Sequence, residues 1–250
     1  MDTAQLRGVL FDKDGTLIDL HASWVASGLE TARALCALAG APERFDTLVR
    51  EAGYDAVTAR LEPRSLWASG TTEALVRHWF AQLGIGSADA MVAHTVAAMT
   101  AQATASVVPL ADLRVLFAQL SARGLRVGVA TMDLESGARA VLARLGVLDA
   151  VDFVCGCDSG HGEKPGPGMV LAFCRACGLE PAQVMVVGDT PHDMHMARAA
   201  GVGVVVAVTS GAADAAMLGA LCNHLIADIT ELGPCLAMHA GCAPACGSGA

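Results

Sequence analysis

The sequence predicts an α/β protein: a parallel sheet covered by helices on both faces, with a helical module inserted behind its first strand. Short apolar runs recur at residues 8–11, 125–130, 151–155, 184–187, 204–208 and 224–227. From residue 109 onward helical patterns separate these runs. Strands alternating with helices build parallel sheets, and parallel strands buried on both faces read as continuous apolar stretches. Between the first run and the rest, residues 20–105 show helical spacing and no strand signal. A chain of 250 residues can bury a full core as one domain with an insertion or as two modest ones.

The elements follow in order. Gly8, Val9, Leu10 and Phe11 read as the end of a buried strand. In the inserted module, Trp24, Gly28, Ala32 and Leu35 recur at helical spacing, as do Phe45, Leu48, Val49 and Ala52. Leu75, Val76, Trp79, Phe80 and Leu83 mark a third stripe, and Met91, Thr95, Ala98 and Gln102 a weaker fourth. Breakers at 40–42, 62–63 and 84–87 separate them. Leu113, Leu116, Phe117 and Leu120 then form a stripe ended by Arg123-Gly124, and Ala138, Val141, Leu142 and Leu145 form another. Helices are expected over about 167–177 and up to Ala200-Gly201. This gives a core of residues 1–19 and 106–232, a helical insert of residues 20–105 and a flexible tail of residues 233–250 rich in Gly, Cys, Ala and Pro.

Composition narrows the function classes. A net charge of −9 and 4% aromatic content oppose a nucleic-acid surface, which needs basic grooves and stacking platforms. The chain is 54% apolar, yet its longest apolar run, near residues 202–208, is too short to span a bilayer. The N-terminus enters a strand with no room for a signal segment, so the expectation is a cytoplasmic protein with no membrane or nucleic-acid partner. Monomer and homodimer both remain open. The cysteine count of nine is odd, which opposes a disulfide framework. Cys155 and Cys157, Cys174 and Cys177, and Cys242 and Cys246 lack the paired spacing of a structural zinc site.

Chemistry concentrates at two strand ends. After Phe11 come Asp12, Lys13, Asp14, Gly15 and Thr16, placing two carboxylates one residue apart beside a glycine that allows a tight turn. Open α/β sheets bind ligands at the carboxyl ends of their strands. There, Asp12 suits a nucleophile and Asp14 a proton shuttle. Two acids so close repel each other and any anion, so a divalent cation with hard oxygen ligands, magnesium above all, is expected. Asp-x-Asp-Gly by itself also reads as a surface turn. Thr131 follows a strand and suits a phosphate oxygen or a helix N-cap. Lys164-Pro165 follows a glycine-rich loop, as a cation for a phosphoryl group or as a solvated lysine. Gly188-Asp189-Thr190-Pro191-His192-Asp193 again runs a strand into a carboxylate, with Asp193 four residues beyond Asp189. Asp189 could ligate a cation directly and Asp193 support it, or both could cap a turn.

In order and context, Asp12-x-Asp14-Gly15-Thr16, Thr131, Lys164-Pro165 and Gly188-Asp189-x-x-x-Asp193 resemble the haloacid dehalogenase superfamily, phosphoglycolate phosphatase-like members with a helical cap. The stretches 197–201 and 208–211 also look like that family. The resemblance covers roughly residues 6–232. It implies a Rossmann-like core with an inserted α-helical cap and a magnesium-dependent phosphatase of small phosphorylated metabolites, phosphoglycolate-like or sugar phosphates. At the matching positions Asp12 looks like nucleophile and metal ligand. Asp14 looks like general acid/base, its backbone carbonyl also reaching the metal. Thr131, Lys164, Gly15 and Thr16 would hold the phosphoryl group, and Asp189 and Asp193 would complete the metal site. A phosphomutase of the same superfamily and a non-catalytic phospholigand-binding protein are the alternatives. Two departures stand out. Met132-Asp133 follows Thr131 where relatives often carry Asn, and Asp133 near the mouth would disfavour highly anionic substrates. Lys13 occupies a position usually apolar or aromatic in phosphoglycolate phosphatases. In the cap, His21, Trp24, Arg50, Tyr54, Arg60 and Arg64 are candidates to read the leaving group.

Overall fold

A computed structural model describes residues 5–62, 65–86 and 88–239. Its strands are β1 (Gly8–Phe11), β2 (Tyr54–Asp55), β3 (Arg60–Leu61), β4 (Arg126–Ala130), β5 (Phe153–Cys155), β6 (Val184–Gly188), β7 (Val204–Val208) and β8 (His224–Ile226). Six of them form one sheet in the order β5-β4-β1-β6-β7-β8, every pairing parallel. The α/β class expected from the alternating pattern is what the chain adopts.

The first strand in sequence is central in space, with β4 on one side and β6 on the other. Phe11 lies opposite Val129 of β4 and Val187 of β6. The residues that follow these three positions therefore emerge at one edge of the sheet, at the crevice where chain order reverses. That register is why Asp12, Thr131 and Asp189, far apart in sequence, reach one place.

Side chains alternate between faces along a strand. Val9, Phe11, Val127, Val129, Met185 and Val187 pack on one side, where helix α6 (Leu113–Ala122) supplies Phe117, its ring 5.9 Å from that of Phe11. Leu10, Val184 and Val186 face the other side, against Met169 and Phe173 of helix α8 (Gly168–Cys177) and Met194 of helix α9 (Pro191–Ala200). Helix α7 (Glu135–Arg144) buries Ala138, Val141 and Leu142 in the first of these cores.

The insert holds helices α1 (Ala26–Leu38), α2 (Phe45–Glu51), α3 (Leu66–Ser69), α4 (Thr72–Leu83) and α5 (Asp89–Ala105), preceded by a π-helical turn, His21–Val25. Trp67 and Trp79 meet edge to face at 5.2 Å in its interior, and Trp79 is wholly buried. Gly28 of α1 lies so close to the Trp67 ring that a β-carbon would overlap it.

Three expectations need correction. The insert is not purely helical: β2 and β3 pair antiparallel, Asp55 opposite Arg60. Its two-residue strands are too short to leave an alternating pattern. In α5 the inward face is Val92, Val96, Met99 and Ala103, whereas Met91, Ala98 and Gln102 are exposed and Thr95 is half-buried. The helix is apolar nearly all round, so periodicity alone missed the register by one residue. Through Met238 the supposed tail is a helix, Leu232–Met238, with Leu232, Cys235 and Leu236 buried. Arg64, Cys242 and Cys246 lie outside the described residues. Cys36, Cys155 and Cys174 are buried like Cys235 and behave as small apolar side chains.

Candidate active site

Each strand end delivers one group. Asp12 leaves β1, its backbone N–H donating to the Val187 carbonyl at 2.8 Å, which extends the pairing by one residue and fixes where the side chain starts. Asp189 leaves β6. Thr190 then caps α9: its side chain accepts from the Asp193 N–H, and Asp193 accepts in return from the Thr190 N–H at 3.1 Å and hydroxyl at 2.6 Å. That reciprocal cap turns Asp193 back toward the sheet. Lys164 arrives from the loop between β5 and α8.

The charges converge. Lys164 Nζ lies 2.5 Å from Asp12 Oδ1 and 2.6 Å from Asp193 Oδ1, with all three side chains largely or wholly buried. Burial chiefly pushes the Asp12 carboxyl up to about 7; Lys164 opposes this, and the charges of Asp193 and Asp14 add to it. The Asp189 carboxyl is also raised well above the usual range, first by burial and then by Asp12 and Asp193. Burial pulls the Lys164 ammonium down, but Asp12 and Asp193 outweigh it and the net direction is up. One lysine thus faces three buried carboxyls, more than it can neutralise when all are ionised, and the raised values of Asp12 and Asp189 express burial first and then that shortage of positive charge.

Carboxylate oxygens of Asp12, Asp189 and Asp193 all lie within 4.8 Å of one another. Asp189 Oδ2 accepts the Ala212 N–H at 2.8 Å, while its buried Oδ1 has no hydrogen-bond partner. Buried unpaired oxygen next to two further carboxylates is the chemistry of a hard divalent cation site, and magnesium suits it. Asp14 contributes no carboxylate to this cluster. Asp193 belongs to it, although its oxygens are already engaged by Lys164 and Thr190.

The loop after β7 closes the back of the site. A β-carbon on Gly211 would overlap the Asp189 carboxylate, and Ser210 Oγ donates to the Gly15 carbonyl at 2.7 Å. Gly15 itself has φ +86°, where a side chain is strained, and its N–H donates to the Ile18 carbonyl. Gly15 and Thr16, expected to help hold the phosphoryl group, lie in the turn and in the interior. Gly15 has spent its N–H in the turn, Thr16 is wholly buried with an unpaired hydroxyl, and neither lines the cavity.

A cavity of about 80 Å³ lies between this cluster and the insert. Asp12, Asp14, Thr131, Lys164, Asp189 and Asp193 form its core side, and Leu20, Trp24, Leu66, Trp67, Leu75 and Met99 much of its other side. Of the residues expected to read a leaving group, Trp24 alone lines it among those described. Arg50 and Arg60 are exposed, and Tyr54 packs its ring 5.9 Å from Trp67. His21 lies outside the lining as well. Arg50 and Arg60 turn to solvent, as charged side chains on an amphipathic insert usually do. Sequence reasoning passed over His192, Thr71 and Thr72, which do line the cavity. His192 was visible inside the Gly188–Asp193 motif; Thr71 carried no signal beyond capping α4, and Thr72 opens that helix.

Lys13 and Asp133, the two departures from the family pattern, meet in space. Asp133 is buried rather than open at the mouth, and its Oδ2 lies 3.2 Å from Lys13 Nζ. Its backbone N–H donates to Thr131 Oγ1 at 3.1 Å, fixing that hydroxyl. It still lines the cavity beside Thr131, and it shares the one Lys13 ammonium with Asp14.

The sequence profile of the haloacid dehalogenase-like hydrolases matches residues 6–201. The chain belongs to this family. It is therefore a hydrolase, and the family resemblance read from its motifs holds. It is 39% identical over 140 residues to a phosphoglycolate phosphatase of Rhodospirillum rubrum, a match covering 53% of this chain and 58% of that one. It is 27% identical over 201 residues to a phosphoglycolate phosphatase of Yersinia pseudotuberculosis, covering 78% of each. In fold, this hydrolase is similar to a β-phosphoglucomutase from Clostridium difficile, with TM-score 0.68, 13% identity and coverage of 94% and 96% of the two chains. Among the described residues no helix is long and apolar enough to cross a membrane.

Proposed function

We propose that this hydrolase is a magnesium-dependent phosphatase of a small phosphomonoester, working through an aspartyl-phosphate on Asp12. The observation that carries the reading is the Lys164 ammonium, 2.5 Å from Asp12 in a small cavity that Asp14 and Thr131 also line. A carboxylate attacking a phosphate dianion must be held against charge repulsion, and a fixed buried cation does that.

Asp12 attacks phosphorus and the ester oxygen leaves on the opposite side. Asp14 gives that oxygen a proton, then takes one from the water that cleaves the aspartyl-phosphate. Thr131 offers its hydroxyl to a phosphoryl oxygen; in the resting protein it lies 3.4 Å from Asp14. Lys164 holds Asp12 ionised, and Asp193, tied to Thr190, holds Lys164. Asp12 and Asp189, with Asp193 behind them, would hold magnesium, which when bound supplies positive charge against the nucleophile and phosphoryl oxygens.

The small cavity and its Leu20, Trp24, Trp67, Leu75 and Met99 wall suit a compact leaving alcohol and exclude bulk water. Phosphoglycolate, the substrate named by relatives, and small sugar phosphates are the first to try. The test is phosphate release from a panel containing both, nucleotides and an aryl phosphate, with and without magnesium, for wild type and Asp12→Asn. Magnesium-dependent release abolished in Asp12→Asn supports the reading. Negligible release from every ester by wild type refutes it, and turnover appearing only with a sugar bisphosphate would indicate a mutase.

A further inference from the structure

Lys13 is the one wholly buried lysine among the described residues, and the phosphatase chemistry above gives it no part. It stands between the two acids in sequence, yet it does not line the cavity they line. Its ammonium lies 2.9 Å from both carboxylate oxygens of Asp14 and 3.2 Å from Asp133 Oδ2. Trp24, at the entry to the insert, covers it with its ring centroid 4.9 Å from Nζ. Asp133 is fixed in turn: its Oδ1 accepts the Leu134 N–H at 2.8 Å at the start of α7, and a β-carbon on Gly137 would press on it at 2.8 Å.

We infer that Lys13, anchored by Asp133, is the positioning residue of the general acid Asp14. This rests on the phosphatase reading and adds to it a second buried lysine with a separate task. Lys164 serves the nucleophile from one side of the cavity; Lys13 serves the acid from behind. Straddling both oxygens, the ammonium limits rotation of the Asp14 carboxyl about its last bond, so that the same oxygen, Oδ2 on the Thr131 side, stays turned to the cavity. A carboxylate with one-fifth of its side chain open to solvent would otherwise sample several rotamers. A geometry held before substrate arrives is worth rate, not affinity.

The role separates two kinds of ester. An alkyl phosphate needs a proton on its departing alkoxide, whereas nitrophenyl phosphate expels a stable phenolate without one. The parameter kcat/KM contains only steps up to departure of that group, so water attack on the aspartyl-phosphate does not enter it. Lys13→Met by itself strands Asp133 as a buried unpaired carboxylate and endangers folding. The variants are therefore Lys13→Met/Asp133→Asn, which keeps the acceptor for Leu134, and Asp133→Asn, which keeps the Lys13–Asp14 pair but loosens its anchor. Both are checked for the wild-type circular dichroism spectrum and melting transition, with Asp14→Asn as the limiting case.

The expected result for the double variant is a fall in kcat/KM for the alkyl phosphate about tenfold to hundredfold greater than for nitrophenyl phosphate. The fall should lie in kcat with KM nearly unchanged, and Asp133→Asn should show a smaller selective loss. Equal losses for the two esters in folded variants, or no loss, would overturn the role and leave the phosphatase reading standing. A wild type that hydrolyses neither ester overturns both, and that arm is read before any variant.

Discussion

Lys164 and Asp193 face each other with Nζ 2.6 Å from Oδ1, both side chains almost fully buried. Thr190 grips the other Asp193 oxygen at 2.6 Å, so the helix cap of α9, Asp193, Lys164 and Asp12 form one chain of charge-assisted contacts. Lys164→Ala should lower kcat about a hundredfold or more, since it removes the one ammonium that touches the nucleophile among the described residues. Asp193→Asn should cost about tenfold to hundredfold by loosening that ammonium. Steady-state hydrolysis of an alkyl phosphate at saturating magnesium measures both.

Magnesium should stabilise the protein. A ligand bound by the folded state alone adds about 2.7 kcal/mol at a hundredfold excess over its Kd. The clustered carboxylates are scattered in the unfolded chain, so magnesium binding to it is weak. Thermal melts with rising magnesium should climb steadily for wild type and much less for Asp189→Ala. Equal climbs in the two would place the cation elsewhere.

The metal-free protein should have an inverse pH dependence. Asp12 titrates near 3.8 when unexceptional and at about 7 in the fold. Asp189 and Asp133 are raised as well, chiefly by burial. A raised carboxyl means that the folded state holds protons the unfolded chain has released. That contribution is complete below the unfolded value and lost as pH rises through the folded one. Denaturant midpoints in chelator should therefore fall between about pH 4 and pH 7. Saturating magnesium should flatten the decline, because ionised carboxylates are then the stable form.

Gly211→Ala should damage metal binding more than folding. The new β-carbon would overlap the Asp189 carboxylate, so the carboxylate moves or the β7 loop does. The magnesium concentration for half-maximal activity should rise about tenfold or more, with only a small change in melting temperature. A titration of activity against magnesium decides it.

Trp79→Ala tests the insert. Trp79 is fully buried against Trp67, and Trp67 lines the cavity. Truncating such a ring costs about 3–5 kcal/mol. Urea unfolding should show that loss, and KM for the ester should rise because Trp67 loses its edge-to-face support.

The chain itself determined the sheet and most of the site. Apolar runs such as 184–187 and 204–208 can be satisfied only when buried on both faces, and their alternation with helices implies parallel order. Asp12 and Thr131 were legible because each directly follows such a run, Asp189 because only Gly188 separates it from one, and Lys164 because it precedes a helix beside a glycine-rich loop. Local spacing could not decide whether Gly15 and Thr16 face a ligand or the interior, since that depends on the β7 loop arriving behind them through Ser210 and Gly211. Nor could it decide the inward face of α5, whose apolar residues surround the helix. The pairing of Lys13 with Asp133 joins residues distant in sequence through the register of β1 on β4, and only tertiary packing turns an odd lysine and an odd aspartate into a buried ion pair. Charge and polarity are written in the chain; which charge neutralises which is settled by distance in the fold.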